Sequence, residues 1–402
     1  MVRSMTRLMV AGLCAAVVSS VSADDRVSAS KKGSLLIYSK VEIKWVFDGA
    51  GFPVVQDTFI DMSNDYPTDV EVQLYFVNGD APTEPVFVGD PPVLVEREHP
   101  GWNWVDCQIL LTANQPTYMS ILSGLPAGCQ PFTVLDPGFP PGRPDPEVAG
   151  GRILRGFVYA WAVDNNGEEI RHNHLSGDAI LINYQRATAA EYNAYAAAAI
   201  NAAHGDASDG VPGRLLLNGS EYDMCFDKLL IDFYASGSFA LSGPVAVLVD
   251  TDITLHSVTA DLRQDTTGPV TTKAKYDIWN QNENRFSGTE KCITCWDQTL
   301  ASLYPAPNHL LRANLQTDKG KARVDGLGST QCPLSRDAAL LGVQIKQMFF
   351  ANGGFATSAI TMVGQGEQDA AILYDIIERP DEAQNGEGFT SGSMLKSGRT
   401  GR

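Results

Sequence analysis

The sequence lacks the short motifs by which common enzyme classes are recognised. It has no Gly-x-Ser-x-Gly elbow, no His-Glu-x-x-His, no Walker loop and no complete Gly-x-Gly-x-x-Gly. We therefore expect no cofactor, and we favour a protein that is not an enzyme. A polysaccharide hydrolase stays open, because it needs only two facing carboxylates and the chain has 47 acidic residues.

Positive charge is also scarce. The chain has 30 Lys and Arg residues against 47 Asp and Glu residues, which gives a formal net charge of -17. Such a surface repels nucleic acid and anionic lipid headgroups, so we expect no nucleic-acid partner.

Long hydrophobic runs are confined to the start of the chain. Arg3 and Arg7 precede the apolar run Leu8–Val18, and Ala23 completes a small-x-small cleavage site. This pattern predicts a secretory signal peptide over 1–23, and hence a secreted, extracytoplasmic protein. No later run reaches the roughly 20 residues that a membrane span needs, so we predict none.

Cysteines are few, and six remain after the predicted cleavage. An even number in an exported chain predicts disulfides, and the candidates are Cys107, Cys129, Cys225, Cys292, Cys295 and Cys332. The first two are close enough in sequence to close one loop. The Cys-Ile-Thr-Cys spacing at 292–295 is found in redox and zinc sites, but we favour two structural half-cystines with different partners. A zinc site shared with Cys225 or Cys332 is the alternative.

Alternation of apolar and polar residues is the main structural signal. It runs through 41–47, 70–76 and 272–278, and it predicts antiparallel strands with one buried face. Phe157–Val163 is apolar at every position, which is typical of a central strand. Thr188–Ala203 is rich in alanine, has a capping-box spacing and predicts a helix.

We therefore predict an all-β protein with two antiparallel, immunoglobulin-like β-sandwich domains joined by one Ala-rich helix. Short matches at a constant offset between the halves leave open whether the domains are a duplication. The predicted ranges are a signal peptide at 1–23, the first domain at 34–186, the helix and linker at 187–213, the second domain at 214–378 and a disordered tail at 379–402.

His172 and His174 lie two residues apart, which in a strand places both rings on one face. A zinc site needs a third and usually a fourth ligand, and no other histidine is near in sequence. We therefore predict an exposed strand face here and no metal site.

Aromatic residues and a proline-rich segment mark the predicted ligand-binding region. Trp102 and Trp104 place two rings on one strand face, where they would stack on sugars if exposed or pack in the core if buried. Phe139 and Arg143 lie in the stiff loop 131–151. We predict these four residues as ligand contacts, with a carbohydrate or a cell-surface protein as partner.

Several phrases resemble uncharacterised exported bacterial proteins. They are Asn64–Val70, His99–Asp106, Leu111–Tyr118 and the loop 136–146. The resemblance implies a bacterial secreted protein without an assigned activity, and the layout is similar to immunoglobulin-like bacterial surface proteins. The function we expect is non-enzymatic binding; the alternatives are a polysaccharide hydrolase and a protein that assembles through exposed sheet edges. The sequence predicts no oligomeric state.

Overall fold

The computed structural model describes residues 32–81, 86–88, 91, 93–95, 99–101, 103–129, 140–200, 203–207, 215–240, 246–259, 261–263, 269–333, 335 and 338–366. The predicted signal peptide and tail, as well as Trp102 and Phe139, lie outside these residues. Nearly all regular structure in the described chain is β. The helical turns described are Ala301–Leu303 and Arg312–Leu315.

Twenty-two strands follow one another in the described residues. The strands of the first half are β1 Leu35–Val46, β2 Val54–Asn64, β3 Val70–Asn78, β4 Val86–Val88, β5 Val93–Val95, β6 Trp104–Leu111, β7 Gln115–Ser120, β8 Arg143–Pro144, β9 Gly151–Val163, β10 Leu175–Asn183, β11 Thr188–Asn193 and β12 Tyr195–Ala197. Those of the second half are β13 Lys228–Tyr234, β14 Gly237–Ala240, β15 Ala246–Val258, β16 Thr271–Asn280, β17 Arg285–Thr294, β18 Trp296–Leu300, β19 Lys319–Leu327, β20 Ala339–Phe350, β21 Phe355–Thr361 and β22 Val363–Gln365.

A ten-stranded antiparallel sheet forms the first half. Its main order is β11-β10-β2-β1-β9-β3-β6, with β12, β7 and β8 paired beside it. Strand β9 pairs with β1 from Leu35↔Trp161 to Val46↔Gly151 and with β3 on its other side. The predicted strands at 41–47, 70–76 and 157–163 are confirmed.

The predicted Ala-rich helix is wrong. Strand β11 pairs with β10, and β12 pairs with β1. Ala190, Tyr192 and Ala194 are buried, whereas Glu191 and Asn193 are exposed, so the burial period is two. Neighbouring strands supply hydrogen-bond partners and cover the tyrosines, and this tertiary context overrides the helix propensity of alanine.

Two five-stranded antiparallel sheets form the second half. One has the order β17-β16-β19-β13-β22, and the other has β14-β15-β20-β21 with β18 beside β15. The fold is therefore all-β and built from several antiparallel sheets, as predicted. The division into two immunoglobulin-like sandwiches stays a prediction. The ranges 34–186 and 214–378 stay predictions as domains.

The two halves share one hydrophobic core. It includes Leu35, Tyr159 and Trp161 from the first half, and Phe226 and Leu255 from the second. The other face of the first sheet covers a separate cluster. Strands β1, β3 and β9 are consequently buried on both faces, and this explains why the face of β1 that carries Lys40 and Glu42 does not meet solvent.

Two disulfides form, Cys107–Cys129 and Cys292–Cys332. The expected loop closure in the first half is confirmed. The prediction that Cys292 and Cys295 are half-cystines with different partners is confirmed for Cys292, which pairs with Cys332, and is wrong for Cys295, which is a free, buried thiol, as is Cys225. The alternative of a zinc site at 292–295 shared with Cys225 or Cys332 is wrong, since Cys292 is already bonded to Cys332. Burial raises the pKa of Cys295 to about 12.

No helix in the ranges given above is long and apolar enough to cross a membrane.

Candidate functional site

The sequence-predicted contact residues lie in different places. Trp104 is buried in β6, where its ring packs on Tyr75 with the centroids 4.9 Å apart. Arg143 donates to the carbonyl oxygen of Ala81, and its Nε lies 3.3 Å from the Asp80 carboxylate. Arg143 therefore anchors the end of its loop. Trp102 and Phe139 lie outside the described residues.

The described end of the proline-rich loop borders a groove between the two halves. Asp145, Glu147 and Val148 line a cavity of about 80 Å³, together with Asp252 of the second half. Lys44 holds the loop in this position, because its Nζ is 3.0 Å from Glu147 Oε2 and 3.9 Å from Asp145 Oδ2. The described end of the loop thus reaches a concave surface.

Uncharged polar side chains line the rest of this cavity together with apolar ones. The polar ones come from β2, from β10, the turn after it and the start of β11, and from β20 and β21 of the second half. Those with amide or hydroxyl groups are Gln56, Asn183, Gln185, Thr188, Gln347 and Thr357. An amide carries both donors and an acceptor, so such side chains suit a ligand that itself carries hydroxyl groups. Gln56 and Asn183 already use part of this capacity, because Gln56 donates to Glu42 and Asn183 donates to Gln56.

A larger cavity of about 410 Å³ adjoins the first. The two share Glu147, Val148, Arg186 and Gln347, and the larger one adds apolar side chains such as Leu248. We call the two cavities together the junction groove. The larger part falls within the size range of small-ligand pockets, about 300–1,000 Å³.

A stacked cation marks the rim of the groove. The Arg186 guanidinium lies 4.3 Å from the ring centroid of Phe355 and 5.2 Å from that of Phe349. The two rings are 4.9 Å apart. Such stacking restrains the Arg186 side chain. It places the charged guanidinium beside the apolar phenylalanine rings at the rim of the groove. No sequence motif identifies this group, because its members come from opposite halves of the chain.

The inner end of the groove is a buried charged cluster. The Lys40 ammonium is fully buried, and its Nζ lies 2.9 Å from Asp252 Oδ2 and 3.5 Å from Glu42 Oε2. Gln298 Nε2 donates to both of these oxygens at 2.8 Å. Because both oxygens are 2.8 Å from one nitrogen, they are at most twice that distance, 5.6 Å, apart.

The two carboxyl groups of the cluster have pKa values shifted in opposite directions. Burial raises the pKa of both. At Glu42 the nearby charges of Lys40 and Lys44 outweigh burial and hold the pKa well below its ordinary value. At Asp252 burial prevails, helped by repulsion from Glu42, and the pKa is raised. Opposed shifts within one pair are the arrangement by which enzymes separate an acid from a base.

The two predicted strand histidines occupy a turn that precedes β10. The expected exposed face is wrong, because His172 is 1% exposed and its Nε2 lies 3.0 Å from Asn64 Oδ1. His174 Nδ1 lies 2.9 Å from Asp65 Oδ1. Asn64 is the last residue of β2 and Asp65 follows it. The end of β2 therefore orients the histidines of the turn before β10, its neighbour in the sheet.

No family model and no curated protein matches the chain. Among solved structures, it is similar to a chain in the cryo-EM structure of Broad Bean Stain Virus. The identity is 11%, the match covers 91% of this chain and 100% of the viral one, and the TM-score is 0.17. At this score the likeness supports no functional argument.

Proposed function

We propose that the protein is a non-enzymatic binding protein whose junction groove takes a neutral, hydroxyl-rich ligand, with an oligosaccharide as the favoured class. The observation that carries this proposal is the wall of amide and hydroxyl side chains beside the Arg186 stack. Sugar hydroxyls pair with amides, and the apolar faces of sugars pack on aromatic rings.

The charge of the groove narrows the ligand class. Glu42, Asp145, Glu147 and Asp252 all line its inner part. An anionic ligand would meet these carboxylates, and we therefore favour neutral sugars over acidic ones.

Binding is tested by mixing the protein with insoluble polysaccharides and isolated cell envelopes, followed by measurement of the protein left in solution. We expect selective depletion of the wild type and little depletion of Arg186→Ala or Gln347→Ala. Arg285→Ala is the matched control. The Arg285 guanidinium also lies over an aromatic ring, 5.8 Å from the centroid of Trp279, but neither residue lines the groove. Equal depletion of Arg186→Ala and wild type, or no depletion at all, would refute the proposal.

Trp102 and Phe139 stay part of the predicted contact region. Trp102→Ala and Phe139→Ala in the same assay would show whether the ligand extends beyond the groove. Trp104→Ala is a poor probe of binding, because this ring is buried and its loss would damage the core.

We also infer export through a signal peptide over 1–23. Two disulfides indicate an oxidising, extracytoplasmic setting, which supports this inference. Mass spectrometry of the secreted chain should find Asp24 at its N-terminus. We further propose that the protein is bacterial, which rests on the resemblance to exported bacterial proteins. We also propose that its sheets are immunoglobulin-like, which their antiparallel pairing supports.

A polysaccharide hydrolase is the second candidate, favoured by the opposed pKa shifts of Glu42 and Asp252. Their separation is compatible with the roughly 5 Å of a retaining glycosidase. Against it, Lys40 and Gln298 already bind both carboxylates, which are only 3% and 4% exposed. Release of reducing ends that disappears in Asp252→Asn, in a variant that still folds, would establish this alternative over simple binding.

A further inference from the structure

Two neighbouring histidines and a third that is distant in sequence meet at one end of the first half. The ring centroids of His172, His174 and His204 are 4.9, 5.3 and 5.5 Å apart. Backbone contacts fix this approach: Gly205 N donates to Arg171 O at 2.9 Å, and Arg171 N donates to Asp206 O at 2.9 Å. The three rings are therefore held together by the fold.

The hydrogen bonds of two rings determine which nitrogen carries the proton. Asn64 Nδ2 donates to the carbonyl of Thr68, so Asn64 Oδ1 is an acceptor and His172 Nε2 must be the donor. His174 Nδ1 likewise donates to the Asp65 carboxylate. Each ring in its neutral form then keeps a lone pair on its other nitrogen. This is the arrangement in which a carboxylate or carbonyl orients a metal-binding histidine.

The ring spacing matches a trihistidine centre. With metal–nitrogen bonds of about 2.0–2.1 Å and tetrahedral angles, the centroids of two ligating rings are about 5 Å apart. Among the described residues no group of three His, Cys, Asp or Glu side chains is arranged to hold a metal ion as it stands, so binding requires at least one of the three rings to turn. His204 lies on an exposed turn, and its ring centroid is 3.8 Å from that of Tyr66, on which it stacks. Because it is exposed, its ring is the freest of the three to turn.

We propose that His172, His174 and His204 bind one divalent transition-metal ion, Zn²⁺ by preference, with water in the fourth position. Three neutral imidazoles suit Zn²⁺ and its neighbours in the first transition row better than Ca²⁺ or Mg²⁺, which prefer oxygen ligands. Asp65 does not bind the metal but positions His174. This site is independent of the junction groove.

The test is a titration of untagged, chelator-stripped chain from Asp24 with Co²⁺, followed by metal analysis of the Zn²⁺-loaded protein after gel filtration. We expect one equivalent of metal and the intense visible absorption of four-coordinate Co²⁺. His204→Ala should lose both. His309→Ala is the matched control, because His309 stacks on Phe286 at 5.0 Å in the second half and should leave binding unchanged.

Asp65→Asn separates positioning from ligation. It should keep the four-coordinate Co²⁺ spectrum but weaken metal binding by about 10- to 100-fold, because the new amide orients His174 less firmly. The proposal is overturned if wild type binds no stoichiometric metal, or if binding survives unchanged in both His204→Ala and His174→Ala. Circular dichroism of each variant establishes that it is folded.

Discussion

Lys40 is the residue on which the charged cluster depends. Its ammonium is fully buried between Glu42 and Asp252. Removal of one partner of a buried ion pair leaves an uncompensated charge, so Lys40→Met should lower the free energy of unfolding by about 3–5 kcal/mol. Urea denaturation measures this change.

Lys32→Met is the matched control for that prediction. Lys32 pairs with Asp65 at the surface, where the two side chains are 49% and 42% exposed, and its loss should cost under about 1 kcal/mol. Adding Asp252→Asn to Lys40→Met should restore part of the stability, since one of the two carboxylates is then neutral. If Lys40→Met and Lys32→Met cost the same, Lys40 does not compensate the buried carboxylates.

His256 should make stability depend on pH. It is buried at the junction, Tyr159 Oη lies 2.9 Å from its Nε2, and burial lowers its pKa to about 3 from an ordinary 6.5. Between these values the unfolded chain binds more protons than the folded one, so stability falls as the pH falls from 6.5 towards 3. His256→Gln should flatten this dependence in urea titrations across that range. An unchanged slope would mean that other groups control acid stability.

At the scale of elements, β11 permits a direct test of strand against helix. Glu191 is exposed on this strand. Threonine favours strands and alanine favours helices, so Glu191→Thr should be more stable than Glu191→Ala by up to about 1 kcal/mol. A helix over 188–203 would give the reverse order. Thermal unfolding of the two variants decides between them.

The elements that could be predicted are those whose signal is local. Alternation identified the strands at 41–47 and 70–76, and the uniformly apolar 157–163 identified the central strand. The alternation of Ala190, Tyr192 and Ala194 with exposed neighbours does not reveal the strand, because alanine fits a helix or a strand and only the partner strands decide. The sequence also predicts the wrong exposure for the polar face of β1. Alternation with apolar residues predicts that Glu42 is exposed, but the second half of the chain covers it.

The candidate site could be predicted only in part, for a similar reason. The loop 131–151 was expected to carry a binding surface, and its described end does border the groove. Arg186, Phe355 and Gln347 form no local pattern, since they meet only when the halves pack. His204 was missed as a neighbour of His172 because 32 residues separate them in the sequence.

At the scale of the whole molecule, the junction resembles a core more than a contact between separate domains. Trp296 of the second half donates from Nε1 to the carbonyl of Ser39 at 2.8 Å. Gly79 of the first half leaves room for this ring, since a Cβ there would lie 2.3 Å from it. Tyr195 Oη donates to Met362 O at 2.6 Å. The interface therefore combines apolar burial with hydrogen bonds between the two halves.

This shared core predicts that the halves unfold together. Two independent sandwiches on a linker would show two calorimetric transitions, whereas a common core gives one. Trp296→Ala should lower that single transition, at a cost of about 3–5 kcal/mol, and should accelerate hydrogen exchange in β1 and β9 as well as in the second half. Trp279→Ala is the control, because this half-exposed ring lies outside the core. Two transitions, or faster exchange confined to the second half, would show that the halves are separate folding units.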